Sequence, residues 1–255
     1  RRAARGRRPH RHGARSRGAL SERLDPWERL RDEIVSCARC PRLRAHCEEV
    51  ARVKRRAFRD QTYWGRPVPG FGDRSASVVL CGLAPAAHGA NRTGRMFTGD
   101  DSGNWLYAAL YRAGFANQET ASGEEDGLEL SDAFITASAR CAPPDNKPNP
   151  EELAACAPFL AREFALLDRV RVVVALGQIA WNATLQHARR VDPSSIPTPR
   201  PKFGHGAEAR VRFRTGDGLV TLLGSYHPSR QNTNTGRLTR AMLDDILAHA
   251  RALTQ

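Results

Sequence analysis

Short apolar runs alternate with helical patterns along most of the chain. Four apolar runs have the length of a strand, and they lie at residues 77–83, 133–139, 170–176 and 219–224. Helical patterns lie between and after them, at residues 104–113, 151–167, 178–188 and 237–253. Continuous apolar runs are typical of strands buried on both faces, and strands that alternate with helices favour a parallel sheet covered on both sides. The pattern therefore predicts an α/β fold.

Three segments depart from this alternation. Residues 26–55 are helical and strongly charged, with a break at the Cys-Ala-Arg-Cys-Pro sequence of 37–41. Residues 56–74 are too rich in Gly and Pro for regular structure, and residues 189–218 predict a long irregular excursion before the last strand. Ligands of open parallel sheets bind beyond the carboxyl ends of the strands. The segments that follow the apolar runs are therefore the candidates for a binding site.

The positive charge is concentrated at the start of the chain. The formal net charge is +13, and the first 17 residues contain eight arginines and no acid, which leaves +5 for the remainder. We interpret residues 1–20 as a disordered basic tail and residues 21–255 as one domain. A basic surplus favours an anionic partner, either nucleic acid or an anionic membrane. No run of 18 apolar residues is present to span a bilayer.

Cysteine usage indicates a reducing compartment. Six cysteines are few for a secreted chain of 255 residues, and there is no signal peptide with an apolar core. We therefore expect a cytoplasmic protein without disulfides. Cys81 lies inside an apolar strand, and Cys47 lies seven residues beyond the paired cysteines, so neither is assigned to a metal site.

The other four cysteines form a candidate metal site. Cys37 and Cys40 have C-x-x-C spacing, Cys141 follows the second apolar run, and Cys156 lies within a helical pattern. Four thiolates are the ligand set of structural zinc and of [4Fe-4S] clusters alike, and the long second spacing slightly favours the cluster. A pair of free helix cysteines and a redox dithiol are the alternatives for the C-x-x-C, although no strand precedes it.

The loop after the first apolar run, residues 82–103, combines small residues with charge and one aromatic ring. Small residues let backbone N–H groups approach a ligand, Arg92 and Arg95 supply positive charge, and Phe97 offers a face for stacking. Neither G-x-G-x-x-G nor the Walker lysine is present, so a phosphate loop for some other nucleotide stays open. Of the two acids before the next helix, we expect Asp101 to cap it, whereas Asp100 is equally suited to chemistry.

A histidine follows the last apolar run. His227 precedes Pro228, which holds the residue in extended backbone at the carboxyl end of a strand. A lone histidine is more often structural than catalytic. The position of His227 opposite the first loop makes it a candidate for the same site.

Four segments together resemble the family-five uracil-DNA glycosylases of the UdgB type. They are the loop at 82–103, Arg-Cys-Ala-Pro-Pro-Asp-Asn-Lys-Pro at 140–148, Ala-Leu-Gly at 175–177 and Tyr-His-Pro-Ser at 226–229. The resemblance covers residues 30–250. It implies a three-layer α/β/α sandwich with a four-stranded parallel central sheet. It also implies a [4Fe-4S] cluster, rather than zinc, on Cys37, Cys40, Cys141 and Cys156.

The resemblance also implies roles for individual residues. Catalytic roles fall to Asp100, His227 and Asn146, and Phe97 stacks on the base. The base site includes Ala84, Pro85, Ala86 and His88, and the residues expected to bind DNA are Arg92, Arg95, Lys147, Ser229 and Arg230, with Arg237 as a further phosphate candidate. The chain departs from the family at Ala86 and Met96, where Gly and Pro are usual. The related family four has Glu at the position of Leu83, so a uracil-only specificity is disfavoured.

The implied activity is excision of uracil and other deaminated bases, hypoxanthine among them, from single- or double-stranded DNA, leaving an abasic site. We expect a monomeric bacterial enzyme that binds DNA and no membrane. The alternatives are a non-catalytic iron-sulfur module that binds nucleic acid, and an enzyme acting on a free nucleotide.

Overall fold

The computed structural model describes residues 25–216 and 218–255, so the predicted basic tail lies outside the described residues. Eight α-helices lie within them: α1 Pro26–Val35, α2 Pro41–Val53, α3 Ala90–Thr93, α4 Asp101–Arg112, α5 Pro150–Leu166, α6 Gln178–Val191, α7 Arg230–Asn234 and α8 Arg240–Ala252. The strands of the same residues are β1 Phe71–Gly72, β2 Val78–Gly82, β3 Ala133–Ala137, β4 Val172–Leu176, β5 Glu208–Val211 and β6 Val220–Ser225.

The helices begin where local chemistry satisfies their first N–H groups. Asp25 caps α1 by accepting from the backbone N–H of Trp27 at 2.7 Å. Pro150 occupies the first turn of α5, and the Glu152 carboxylate reaches back to the N–H of Asn149 at 2.7 Å. The predicted start of this helix is confirmed.

One sheet contains all six strands, in the order β1-β3-β2-β4-β6-β5. The four predicted strands form its parallel centre, β3-β2-β4-β6, as expected. The prediction of four strands is corrected, because β1 and β5 add one antiparallel strand at each edge. Antiparallel edge strands are common on otherwise parallel sheets.

Alternate side chains of the central strands belong to two separate cores. In β2, Val78 and Leu80 face one core, and Val79 and Cys81 face the other. Helices α4 and α8 cover the first face, and α5 and α6 cover the second. The predicted three-layer α/β/α sandwich is confirmed.

The order of the strands locates the functional edge. The chain runs from β2 to its neighbour β3 and then returns to place β4 on the other side of β2. This reversal is a topological switch point, where ligands bind beyond the carboxyl ends of the strands. The loops after β2, β4 and β6 all leave the sheet at that edge. Within the described part of the chain, no helix is both long and apolar enough to cross a membrane.

Candidate active site

Arg92 holds the first loop from inside. Its guanidinium donates to the carbonyls of His88 and Gly99, both at 2.8 Å, and to Gln61 Oε1 at 2.6 Å. The side chain is buried and lies over the ring of Phe58 at 4.0 Å. Its guanidinium is thus buried and committed to three acceptors within the protein, while the predicted contact of Arg92 with DNA phosphate stays a prediction.

Arg95 has a similar internal position. Its guanidinium makes a bidentate pair with Asp126, at 2.9 and 2.5 Å, and its Nε donates to Thr98. Burial alone would raise the pKa of Asp126, but the hydrogen bonds from Arg95 and from backbone N–H groups hold it well below its usual range. Only 4% of the Arg95 side chain is exposed. The predicted phosphate contact of Arg95 likewise stays a prediction.

Asp100 is the N-cap of α4. Its Oδ1 accepts from the N–H of Gly103 at 2.9 Å. Burial raises the pKa of Asp100, and hydrogen bonds from the N–H groups of Gly103 and Ser102 partly offset that effect. The prediction that Asp101 caps the helix is therefore wrong. Asp101 is the first residue of the helix and pairs with Arg230.

Gly89 provides the space for this carboxylate. A Cβ at position 89 would lie 2.2 Å from Asp100 Oδ2 and 3.2 Å from Ala86 Cβ. The carboxylate therefore rests against the loop backbone beside Ala86. Sequence analysis missed Gly89, and only the run of small residues from 82 to 90 could have indicated that a side chain packs there.

Phe97 and His227 bring the two loops together. Their ring centroids lie 5.7 Å apart with an interplanar angle of 30°. Phe97 adopts a φ of +54°, a strained conformation for an aromatic residue, and its ring packs so closely on Gly82 that a Cβ there would lie 2.8 Å from Cζ. Such strain is commonly maintained at functional sites.

His227 is a neutral imidazole at physiological pH. Burial lowers its pKa to about 4, and none of the described residues makes a hydrogen bond to its ring nitrogens. Its Cβ lies 3.6 Å from the place a Cβ would occupy at position 177, where the φ of +101° requires glycine. The strand end at 175–177 therefore supports the histidine.

The other residues of the first loop that were predicted to bind the base are His88, Ala84, Pro85 and Ala86. His88 Nδ1 lies 3.0 Å from the hydroxyl of Tyr63, and burial, with the nearby charges of Arg55 and Arg92, lowers the pKa of His88. Ala84, Pro85 and Ala86 lie between the end of β2 and Gly89, on the backbone that leads to Asp100. Tyr63 is a neighbour that sequence analysis did not identify.

The predicted DNA contacts outside the first loop are on the surface. Arg230 is exposed and pairs with Asp101, which joins the last loop to the start of α4. Ser229 caps α7. Lys147 and Asn146 are exposed, and Asn146 has a φ of +56° in a left-handed turn. No contact joins Asn146 to Asp100, Phe97 or His227 among the described residues, so its catalytic role stays a prediction.

A groove of about 650 Å³ lies away from this site, between α5 and α6, and Ala157, Asn182 and Arg189 are among its lining residues. We assign the site on its chemistry, since that groove includes none of Asp100, Phe97 and His227. Phe97 packed on Gly82 occupies the space beside the end of β2.

The four cysteines predicted as metal ligands lie in one region, formed by the end of α1, the start of α2, the segment after β3 and the first turns of α5. Burial raises the pKa of Cys40 to about 11, and the nearby thiols of Cys156, Cys141 and Cys37 add to the increase. These charge effects indicate that the four thiols are close neighbours. Across the described residues, however, no three His, Cys, Asp or Glu side chains converge tightly enough to hold one metal ion.

A fifth thiol borders this group. Cys47 packs in one buried cluster with Cys141, and its Sγ donates to the carbonyl of Ala142 at 3.6 Å. The neighbouring thiol of Cys47 raises the pKa of Cys141, and burial raises it further. The sequence could not indicate this contact, because residues 47 and 141 are far apart along the chain.

Comparisons with known proteins show which family the chain belongs to. The sequence model of the uracil DNA glycosylase superfamily matches residues 69–251. The type-5 uracil-DNA glycosylase of Mycobacterium bovis is 54% identical over 86% of this chain and 79% of its own length. The chain belongs to the type-5 uracil-DNA glycosylase family. The type-5 enzymes of Mycobacterium leprae and Thermus thermophilus are each 51% identical, over 88% and 86% of this chain and 94% of their own lengths.

Membership of the type-5 uracil-DNA glycosylase family confirms the resemblance drawn from the four sequence segments. Glycosylases of this family are monofunctional hydrolases that act on N-glycosyl bonds. The chain is therefore an enzyme of that class, and its candidate catalytic residues Asp100 and His227 follow β2 and β6.

Proposed function

We propose that the chain excises uracil and other deaminated bases from single- and double-stranded DNA and leaves an abasic site. The observation that carries the proposal is the contact between the rings of Phe97 and His227 at the switch point of the sheet, with Asp100 capping the helix that follows Phe97, in a chain of this family. The target base must leave the duplex to reach such a site, and mismatched bases cost least to extrude.

The reaction needs stabilisation of two opposite charges. Cleavage of the C1'–N bond builds positive charge on the sugar and negative charge on the departing base. Asp100, as a carboxylate, either stabilises the sugar cation or orients the attacking water, as carboxylates do in glycoside hydrolysis. Its anchorage by the N–H of Gly103 at 2.9 Å fixes its direction before the substrate arrives.

His227 and Phe97 act on the base. The neutral imidazole donates a hydrogen bond to the leaving base, and no protein acceptor in the described residues competes for its N–H. The ring of Phe97 stacks on the extruded base from the side of β2. Phosphate contacts belong to exposed groups, for which Lys147, Ser229 and Arg230 are the candidates.

We further propose that Cys37, Cys40, Cys141 and Cys156 hold a [4Fe-4S] cluster. The donor set fits, because four cysteine thiolates are the ligands of a [4Fe-4S] cluster and these four residues would supply them. Buried arginine N–H groups that lack an acceptor support the fit: Arg44 NH1 and two nitrogens of Arg140 have no partner in the part of the chain that is described. When bound, the cluster would tie α1 and α2 to the sheet.

An excision assay tests the proposed activity. The chain is incubated with duplexes and single strands that carry uracil, hypoxanthine or xanthine in one sequence context, followed by alkali treatment. Excision of uracil creates alkali-labile sites. Tight binding without cleavage would instead favour the non-catalytic iron-sulfur module, and release of base from free nucleotides alone would favour a nucleotide enzyme.

Substitution of Gly89 by Ala should impair excision without unfolding the chain. The added Cβ would lie 2.2 Å from Asp100 Oδ2, so the carboxylate must move. A displacement of this size is expected to lower the single-turnover rate about 100-fold. Gly123→Ala is the matched control, because a Cβ there meets nothing within 4 Å. A wild-type rate for Gly89→Ala would show that the position of the Asp100 carboxylate does not matter for the reaction.

The pH dependence of excision should have an acidic limb and no loss near neutrality. The pKa of Asp100 is raised by burial, so the carboxylate is lost as the pH falls through a value above 3.8. The pKa of His227 is lowered to about 4, so the imidazole stays neutral from roughly pH 6 to 8. Single-turnover rates should therefore stay level over that range. If the reaction needed a cationic histidine, the rates would instead decrease above pH 6.5.

A further inference from the structure

Buried arginine N–H groups without an acceptor lie beside the cysteines. In the described ranges, the buried side-chain nitrogens that lack a partner are Arg44 NH1, Arg140 Nε and Arg140 NH1. A buried donor without an acceptor is costly, and native proteins rarely retain one without a reason. These three donors therefore point to an acceptor that belongs beside them.

Arg44 is directed at the cysteine group. It lies on α2, one turn after Cys40, with 17% of its side chain exposed. Its NH2 donates to Glu48 at 2.8 Å. Its neighbours on α2, Leu43 and Cys47, pack in one buried cluster with Cys141 and Ala142, so the unpartnered NH1 of Arg44 lies where α2 meets the segment after β3.

Arg140 reaches the same region from the other side. It directly precedes Cys141 in the chain, and its NH2 pairs at 2.6 Å with Glu163 on α5, the helix that carries Cys156. Only 1% of the side chain is exposed. Two arginines therefore approach a group of four thiols in an interior that admits little water.

We propose that Arg44 is a positioning residue for the cluster, donating N–H groups to sulfur at Cys141 and neutralising part of the cluster's negative charge. The inference rests on the proposed cluster. A cubane with four thiolates is anionic, and hydrogen bonds to its sulfurs and the charge around it set its reduction potential. A cation stabilises the reduced, more negative form, so Arg44 raises the potential.

The test compares Arg44→Gln with Arg52→Gln, each purified without oxygen. Arg52 lies on the same helix, is 72% exposed and pairs with Glu49, so its loss removes an arginine but no contact with a thiol. Iron and sulfide content, visible absorption during exposure to a chelator, and the midpoint of an EPR-monitored redox titration are measured. We expect Arg44→Gln to lose its cluster about tenfold faster and to have a lower potential than Arg52→Gln.

Arg44→Lys keeps the test valid if Arg44→Gln fails to fold. Lysine keeps the charge but not the planar fork, so it should restore most of the potential and little of the resistance to chelator. Equal potentials and equal chelator resistance in wild type, Arg44→Gln and Arg52→Gln would overturn the role of Arg44. A wild-type protein free of iron and sulfide would overturn the cluster proposal with it, whereas uracil excision is scored separately.

Discussion

Asp100→Asn is expected to reduce uracil excision at least about 100-fold while DNA binding changes little. Asparagine is as good a helix cap as aspartate, so the bond to the N–H of Gly103 and the start of α4 survive. What disappears is the negative charge that faces the reacting sugar. Single-turnover rates on a uracil duplex measure the first effect, and a titration of the same duplex measures the second.

Asp25→Asn is the matched control. Asp25 caps α1 in the same way, accepting from the N–H of Trp27, but lies outside the site. Both variants should show wild-type circular dichroism, and only Asp100→Asn should lose activity. A near-normal rate in Asp100→Asn would exclude this carboxylate from the chemistry, and an equal loss in both variants would attribute it to the helix caps.

Cys141→Ser is expected to yield little soluble protein and to remove the brown colour and the iron. A hydroxyl is a poor ligand for iron in a cluster, and Cys141 packs in one buried cluster with Cys47 and Cys40. Iron and sulfide per chain, together with absorption in the visible range, measure the result.

The Cys47→Ser variant tests whether Cys47 is a ligand of the cluster or only a neighbour of its ligands. Cys47 is satisfied as a thiol, since its Sγ donates to the carbonyl of Ala142, and a serine hydroxyl can make the same bond. This variant should keep its iron. Loss of iron in Cys47→Ser but not in Cys141→Ser would reassign the ligand, and a folded wild type that binds zinc and no iron would contradict the cluster.

The centre of the fold could be predicted from the sequence, but the edges could not. The four central strands are buried on both faces, so each is a continuous apolar run. Strand β5 is covered on one side only, with Ala209 and Val211 buried and Glu208 and Arg210 exposed. That alternation was the available signal, and it was hidden within a segment rich in Pro and Gly. Strand β1 has two residues, too few for any pattern.

The sequence indicated where the candidate site lies but not what supports it. Asp100, Phe97 and His227 follow strands, and the parallel sheet brings those strand ends to one edge. The burial of Arg92 and Arg95 could not be predicted, because a sequence gives the charge of a side chain but not its burial. Their partners, Gln61 and Asp126, lie 31 residues away in opposite directions along the chain.

Arg92 and Arg95, the two buried arginines of the first loop, affect the entropy cost of DNA binding. Arg95 pairs with Asp126, and Arg92 donates to three separate backbone and side-chain acceptors, so the bonds that hold this loop lie within the protein. We expect a loop held in this way to change little when a nucleotide binds. Little conformational entropy is then lost when DNA binds, so more of the binding energy is available to extrude one base from the duplex.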